Sequence, residues 1–233
     1  MNMKKYLFLL LLFPFWVSAQ NRQVIETASG EDLSKKVSTQ MQYLFPEFTS
    51  GDVYYKGYNG KGKLNYNMLL GEMQFLENDQ VMALANVRDV VMMNIDNRLF
   101  YPFNDKEFTE ELLSTGKYQL RVRRKGNVAQ HSKKGAYGMD SSTSAITSYS
   151  SISSDNRQYD LTVAEKVLIT MNYFYYLVGP NGKYILIRNA KTFTKQFSQY
   201  RAQIEEFVKE NKIRFDNEDD LKTLLKFCSN LSS

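Results

Sequence analysis

Residues 51–76 read GDVYYKGYNGKGKLNYNMLLGEMQFL, and their alternation decides the fold class. Val53 and Tyr55 alternate with Asp52, Tyr54 and Lys56. Leu64, Tyr66 and Met68 alternate with Lys63, Asn65 and Asn67, and Met73 and Phe75 with Glu72 and Gln74. Successive side chains on a strand point to opposite faces, so these runs predict an antiparallel meander with one dry face. Asn59-Gly60 lies between the first two runs and suits a type I′ hairpin turn, whose two central residues both need positive φ.

The alternation continues outward from this stretch. Glu77-Asn78-Asp79 marks a turn into a strand at 80–85, and 89–94 leads into Ile95. Asp96-Asn97 then turns the chain into Arg98-Leu99-Phe100-Tyr101, which Pro102 ends. Residues 108–113 and 118–124 form a further hairpin around Ser114-Thr115-Gly116. A helix is the competing reading of 108–113, since Phe108, Glu111 and Leu112 also fit a 3.6-residue period. Residues 159–163 and 165–178 are again β-rich, and Gly179-Pro180-Asn181-Gly182 turns the chain into 183–188.

The period then switches. Phe193 and Phe197 are four apart, Ile204, Phe207 and Val208 follow, and Leu221, Leu224, Leu225 and Cys228 fall at i, i+3, i+4 and i+7. These spacings predict amphipathic helices with one stripe to bury. Asn217, three residues before Asp220, has the chemistry of an N-cap followed by an acidic first turn. The fold class is α+β: a mainly antiparallel β-meander of nine or ten strands, as a sheet, sandwich or partly open barrel, followed by a C-terminal pair of amphipathic helices.

The first residues point to export. Lys4 and Lys5 precede an apolar run from Tyr6 to Val17, and Val17-Ser18-Ala19 supplies a small-x-small cleavage pattern. The run is shorter than the roughly 20 residues a membrane span needs. No cysteine follows it to carry a lipid. The expected organisation is a signal peptide at 1–19, cleaved after Ala19, then an N-terminal tether or helix at 20–42. A β-rich domain at 43–189 carries a Ser/Gly-rich loop at 125–157, and a helical segment at 190–233 packs on the sheet. Within the loop, 145–152 alternates loosely, as an edge strand would.

The chain has 30 basic and 25 acidic side chains, two of the basic ones in the leader. The remaining excess is small and interspersed, which argues against nucleic acid as the partner. Cys228 is the single cysteine, so the mature fold rests on its hydrophobic core rather than on disulfides.

No catalytic, cofactor-binding or metal-binding constellation emerges. His131, the only histidine, lies in the polar loop beside Lys133 and Lys134. One His and one distant Cys give no zinc spacing. The carboxylates of Glu110-Glu111, Glu205-Glu206 and Asp219-Asp220 are sequence neighbours, which point to different faces of a strand or helix. Residues 216–220 are acidic but lack the glycine and spacing of a calcium loop. Gly57, Gly60 and Gly62 join two strands, unlike a phosphate loop. Cys228 falls on an apolar helical stripe, as a buried thiol does.

Aromatic side chains remain as candidate contacts. Tyr173-Phe174-Tyr175-Tyr176 must place rings on both faces of its strand, and Tyr54 and Tyr58 raise the same prospect near the first strand. With Tyr137 and Tyr149 in the Ser/Gly-rich loop, the possible binding residues are Tyr54, Tyr58, Tyr137, Tyr149, Tyr173 and Tyr175.

Three further marks carry a resemblance. They are Leu64-Asn65-Tyr66-Asn67 followed by Gly71-Glu72-Met73-Gln74-Phe75, Lys134-Gly135-Ala136-Tyr137-Gly138, and Lys191-Thr192-Phe193-Thr194-Lys195-Gln196-Phe197. Through them most of the mature chain resembles a family of uncharacterised exported proteins of Bacteroidota-type bacteria. The resemblance implies the periplasm or outer-membrane periphery of a diderm bacterium, and no activity. The expected function is that of a non-enzymatic envelope module binding a protein partner or a surface glycan, with no cofactor and no transmembrane span. The alternative is a carrier for a small apolar ligand in a barrel-like pocket. Whether Leu64, Tyr66, Met73 and Phe75 line that pocket or lie under the C-terminal helices separates the two, and the helices are expected to cover them.

Overall fold

The computed structural model describes residues 22–27, 36–134, 140–141, 148–149 and 165–232. The expected signal peptide at 1–19, Tyr137 and the expected strand at 159–163 lie outside them. In chain order the elements are β1 (Arg22–Thr27), α1 (Thr39–Gln42), β2 (Thr49–Tyr55), β3 (Asn59–Asn67), β4 (Glu72–Glu77), β5 (Gln80–Ala83), β6 (Val90–Ile95) and β7 (Arg98–Pro102). There follow β8 (Phe108–Ser114), β9 (Gln119–Lys134), β10 (Asp140–Ser141), β11 (Ser148–Tyr149), β12 (Glu165–Val178) and β13 (Tyr184–Leu186). Helices α2 (Ala190–Gln196), α3 (Arg201–Glu210) and α4 (Glu218–Leu231) end the chain. The mostly antiparallel sheet with C-terminal helices is the expected α+β architecture. The helical segment has three pieces rather than two, because the chain leaves α2 at Phe197 and turns tightly through Ser198–Tyr200 into α3.

The strands run in the order β1-β12-β9-β8-β7-β6-β2-β3-β4-β5, with β10 and β11 pairing β9 and β13 pairing β12. Within the meander, the Asn59-Gly60 hairpin is corrected. Asn59 and Gly60 already pair with Tyr54 and Val53 inside β3, and the reversal spans Tyr55 to Tyr58, with Gly57 at φ 100°. The tight turns that use two positive-φ residues are Asn78-Asp79 (48° and 60°) and Asp96-Asn97 (50° and 59°). Asn and Asp tolerate this region because a short polar side chain can bond locally.

The single dry face is also corrected. Leu64, Asn65, Tyr66 and Asn67 are all buried in succession. Segment 42–48 lies along the end of β3 and covers its polar side. Asn65 brackets Phe45, accepting its N–H (3.2 Å) and donating to its carbonyl (2.9 Å), while Asn67 Oδ1 accepts the amides of Leu69 and Leu70. Tyr43 donates to Gln74 Oε1 at 2.9 Å. These buried polar groups keep their partners, which is the condition for burying them at all.

The β3–β4 turn curls back onto β8 and β9. Phe108 N–H donates to Gly71 O (2.8 Å), Gly126 N–H to Leu69 O (2.9 Å), and Glu72 bridges Glu107. A Cβ on Gly126 would stand 2.9 Å from Leu69 Cδ2 and 3.1 Å from its Cα, so any other residue would force Leu69 to shift and loosen this approach. The curl encloses one core, with Leu64, Tyr66, Met73, Met93, Ile95, Phe100 and Phe108 at its centre.

A second core lies between the sheet and the helices. Leu120, Val122, Tyr175 and Leu177 from β9 and β12 meet Phe193, Phe197, Ile204, Leu221, Leu224, Leu225 and Cys228. The helices therefore do not cover Leu64, Tyr66, Met73 and Phe75. They follow β13, which pairs with β12, so the chain delivers them to the β9–β12 surface, while the curled meander closes over its own residues. Burial pushes the Cys228 thiol up to about 12, as an inert core cysteine requires. Asn217 caps α4, accepting the Asp220 amide at 3.0 Å.

The long β9–β12 pairing departs from the expected loop at 125–157. β9 runs unbroken through Lys134, so His131 lies in a strand, and pairing with β12 extends from Val178↔Gln119 to Lys166↔Ser132. A ladder needs backbone partners rather than apolar side chains, and β12 supplies them along its whole length. At the N-terminal end of the expected tether or helix at 20–42, Arg22–Thr27 pairs with β12, and the helix described within that span is the short α1.

Candidate interaction face

Period-two alternation gives β7, β8, β9, β12 and β13 two unlike faces. One carries Phe100, Glu110, Val122 and Tyr175 toward the cores. The other carries Tyr101, Thr109, Glu111, Arg121, Arg123, Phe174, Tyr176 and Tyr184. The ladder sets this second face in register: Tyr101 lies opposite Thr109, Glu111 opposite Arg121, Arg121 opposite Tyr176, and Arg123 opposite Phe174. Among the described residues no helix is packed on it.

Planar cations and rings interleave there. The Arg121 guanidinium carbon stands 3.6 Å from the Tyr101 ring centre and 5.3 Å from that of Tyr184. It donates to the Tyr184 hydroxyl and, at 2.5 Å, to Gln119 Oε1. The Tyr184 oxygen in turn lies 3.1 Å from Thr109 Oγ1 and donates toward Pro102 O at 3.5 Å. Arg123 stands 4.7 Å from the ring centres of both Phe103 and Phe174. Phe103, Tyr176 and Tyr184 form a triangle of ring centres 5.2 to 5.7 Å apart. Each desolvated cation–ring contact is worth on the order of 1–2 kcal/mol, so the layer is held rigid.

At one margin Glu107 gathers cations. It accepts from Arg123 Nη1 (2.7 Å), from Lys125 Nζ and from Asn104 Nδ2 (2.9 Å). Burial alone would raise its carboxyl, but the hydrogen bonds from Lys125 and Arg123 outweigh burial and hold it below the usual carboxylate range. Burial raises Tyr176, and burial followed by the Glu111 carboxylate raises Tyr101. These groups keep one protonation state at neutral pH; Thr109, Arg121 and Tyr176 are buried within the layer, and the half-buried Tyr101, Phe103, Arg123, Phe174 and Tyr184 form its accessible part. The Nε atoms of Arg121 and Arg123 and Oε2 of Glu111 are buried without a hydrogen-bond partner among the described residues.

Of the expected binding tyrosines, those among the described residues lie on separate elements, save Tyr173 and Tyr175 on β12. Tyr54 is half-buried on β2, and Tyr58 is 62% exposed in the β2–β3 turn, stacked on Tyr55 at 4.5 Å. Tyr149 lies in β11, opposite Val128. Tyr175 points into the helix-covered core, and Tyr173 packs half-buried against both cores. Burial raises Tyr175 to about 12, with the Glu218 carboxylate adding to the rise. Phe174 and Tyr176 therefore lie on the other side of the strand, Phe174 half-buried and Tyr176 buried. The residues that sequence reasoning passed over are Tyr101, Phe103, Arg121, Arg123 and Tyr184. Their signal was the alternation of Arg121, Arg123 and Lys125 along a strand, which places three cations on one face.

Among the described residues no three His, Cys, Asp or Glu side chains gather as a metal site, and no helix is long and apolar enough to cross a membrane. Comparisons with protein-family models, with curated proteins and with solved structures found no match.

Proposed function

We propose that the mature chain is an exported, non-enzymatic module of a diderm bacterial envelope that holds a protein partner on the outer face of β7, β8, β9, β12 and β13. The observation that carries this reading is the layer formed by Arg121 and Arg123 between the rings of Tyr101, Phe103, Phe174 and Tyr184. Arginine, tyrosine and phenylalanine are the types enriched at the centres of protein interfaces, where rigid planar groups bury area at low entropic cost. The leader pattern at 1–19 supports export. A carrier function is less favoured, since the side chains of Leu64, Tyr66 and Met73 pack directly within the curl.

Photo-crosslinking in the native envelope tests this. A benzophenone amino acid at Tyr101 or Phe174 should give one defined protein adduct, and the same group at Tyr58 or Lys212 should not. Adducts to glycan alone, or equal yields from face and control positions, would overturn the reading.

A further inference from the structure

The strand at the end of the meander carries a second surface, independent of the arginine-ring face. Among the described residues no strand lies beyond β5. Leu84 N–H donates to Met73 O at 3.0 Å, which makes Leu84↔Met73 a hydrogen-bonded pair of the β4–β5 ladder. Antiparallel pairs alternate, so Met82↔Phe75 and Gln80↔Glu77 are of the same kind, and Val81 and Ala83 turn their N–H and C=O groups away from β4. Two donors and two acceptors thus face outward along an edge that is unpaired among the described residues.

Proteins blunt such edges with lysine, proline, a bulge or an inward charge. None of these occurs over 80–84, which reads Gln-Val-Met-Ala-Leu. The edge is apolar on both faces. Val81 is 47% exposed on one side; Met82 lies on the other beside Phe75, and Phe75 and Leu84 are half-buried against the first core.

We propose that β5 pairs antiparallel with β5 of a second copy of this chain, joining two sheets across a two-fold axis centred on Met82. The pattern is self-complementary. Val81 would exchange both backbone bonds with Ala83 of the second copy and Ala83 with its Val81, giving four hydrogen bonds. The flanking Gln80 and Leu84 also face each other, so no like charges meet. Isologous contacts of this kind close on themselves and stop at a dimer. The contact is small, so the dimer forms at high protein concentration.

Sedimentation velocity of the mature chain over a wide concentration range is the first measurement, with a reversible dimer expected. Val81→Pro and Ala83→Pro remove only outward donors and should leave a folded monomer. The two-fold places Met82 directly opposite its own copy at a non-hydrogen-bonded position, about 4.5 Å between Cα atoms, within disulfide range. Met82→Cys should therefore cross-link into a covalent dimer under mild oxidation, and Gln80→Cys should not. If the proline variants fail to fold, the two cysteine variants still decide the matter. A chain that stays monomeric at every concentration, a dimer that survives both prolines, or equal cross-linking from positions 80 and 82 would overturn the proposal.

Discussion

Tyr66 and Arg124, 58 residues apart, meet where β8 and β9 separate: the Tyr66 hydroxyl lies 3.3 Å from the Arg124 carbonyl oxygen and 3.4 Å from its amide nitrogen. The same hydroxyl reaches Phe108 O at 3.0 Å. The β8–β9 ladder runs through Glu110↔Val122, and one step further a tyrosine from the curled meander takes the place of direct strand pairing. Burial drives the Tyr66 pKa far above its ordinary value, so the hydroxyl stays a donor at any working pH.

Replacing this hydroxyl isolates its role. Tyr66→Phe keeps the ring in the core and leaves the backbone groups of Phe108 and Arg124 short of a partner. Leaving buried groups unsatisfied costs about 1–3 kcal/mol. The urea midpoint should fall accordingly while the far-ultraviolet spectrum keeps its shape. An unchanged midpoint would mean that the hydroxyl adds nothing to the junction.

The meander was legible because strand alternation is a local signal, readable from Leu64, Tyr66 and Met73 alone. Capping was legible for the same reason, at Asn217. The curl was not, since it depends on Gly126 admitting Leu69 and on Tyr66 reaching two strands that follow it in the chain. The positions of the helices depended on connectivity through β13, which periodicity does not encode. The candidate face needed both the register between β8, β9 and β12 and the inward direction of Tyr175. Consecutive rings in the sequence left open which two of the four lie on that face.

Turn chemistry gives a sharper contrast. Asn59-Gly60 has the stronger hairpin signature, yet the backbone reverses at 55–58, and Asp96-Asn97 is one of the two turns with a positive-φ pair. Asn59→Ala should change stability by less than about 0.5 kcal/mol, as for an exposed surface position. Replacing Asp96 and Asn97 together by alanine forces two Cβ-bearing residues into the left-handed region without polar side chains to compensate. That should cost on the order of 1–3 kcal/mol, measurable by thermal unfolding. Equal losses at both sites would contradict the turn assignment.

Glu110 is the buried centre of an ion network between β7, β8 and β9. It accepts from Arg98 at 2.5 Å and from Arg124, and Arg124 reaches Glu218 of α4 at 3.9 Å. The side chains of Glu110 and Arg124 are 4% and 6% exposed, so the pair is desolvated. Removing one member strands the other charge, at a cost of about 3–5 kcal/mol, whereas an apolar pair of similar volume is often neutral. Glu110→Leu should therefore be severely destabilising, and Glu110→Leu with Arg124→Met should recover most of the loss in denaturant titrations. Additive losses would show that the two residues act separately.

Glu107 sets an acid limit. Its carboxyl lies below the usual range because the Lys125 and Arg123 hydrogen bonds outweigh burial. A folded pKa below the unfolded value of about 4.3 means that the folded state binds fewer protons in this window. The contribution of Glu107 is then complete above that value and is lost as pH falls through the folded pKa. Wild-type urea midpoints should hold from neutrality to about pH 5 and drop below it, with Glu107 supplying part of the slope. Glu107→Gln should lower the midpoint at neutral pH and flatten the acid limb, since no proton can then be taken up at this position. The arginine-ring face should loosen in the same window, because Arg123 loses its fixed anion while keeping its charge. Tyrosine fluorescence followed from pH 7 to acid would register that change, and identical acid limbs in both proteins would remove Glu107 as its source.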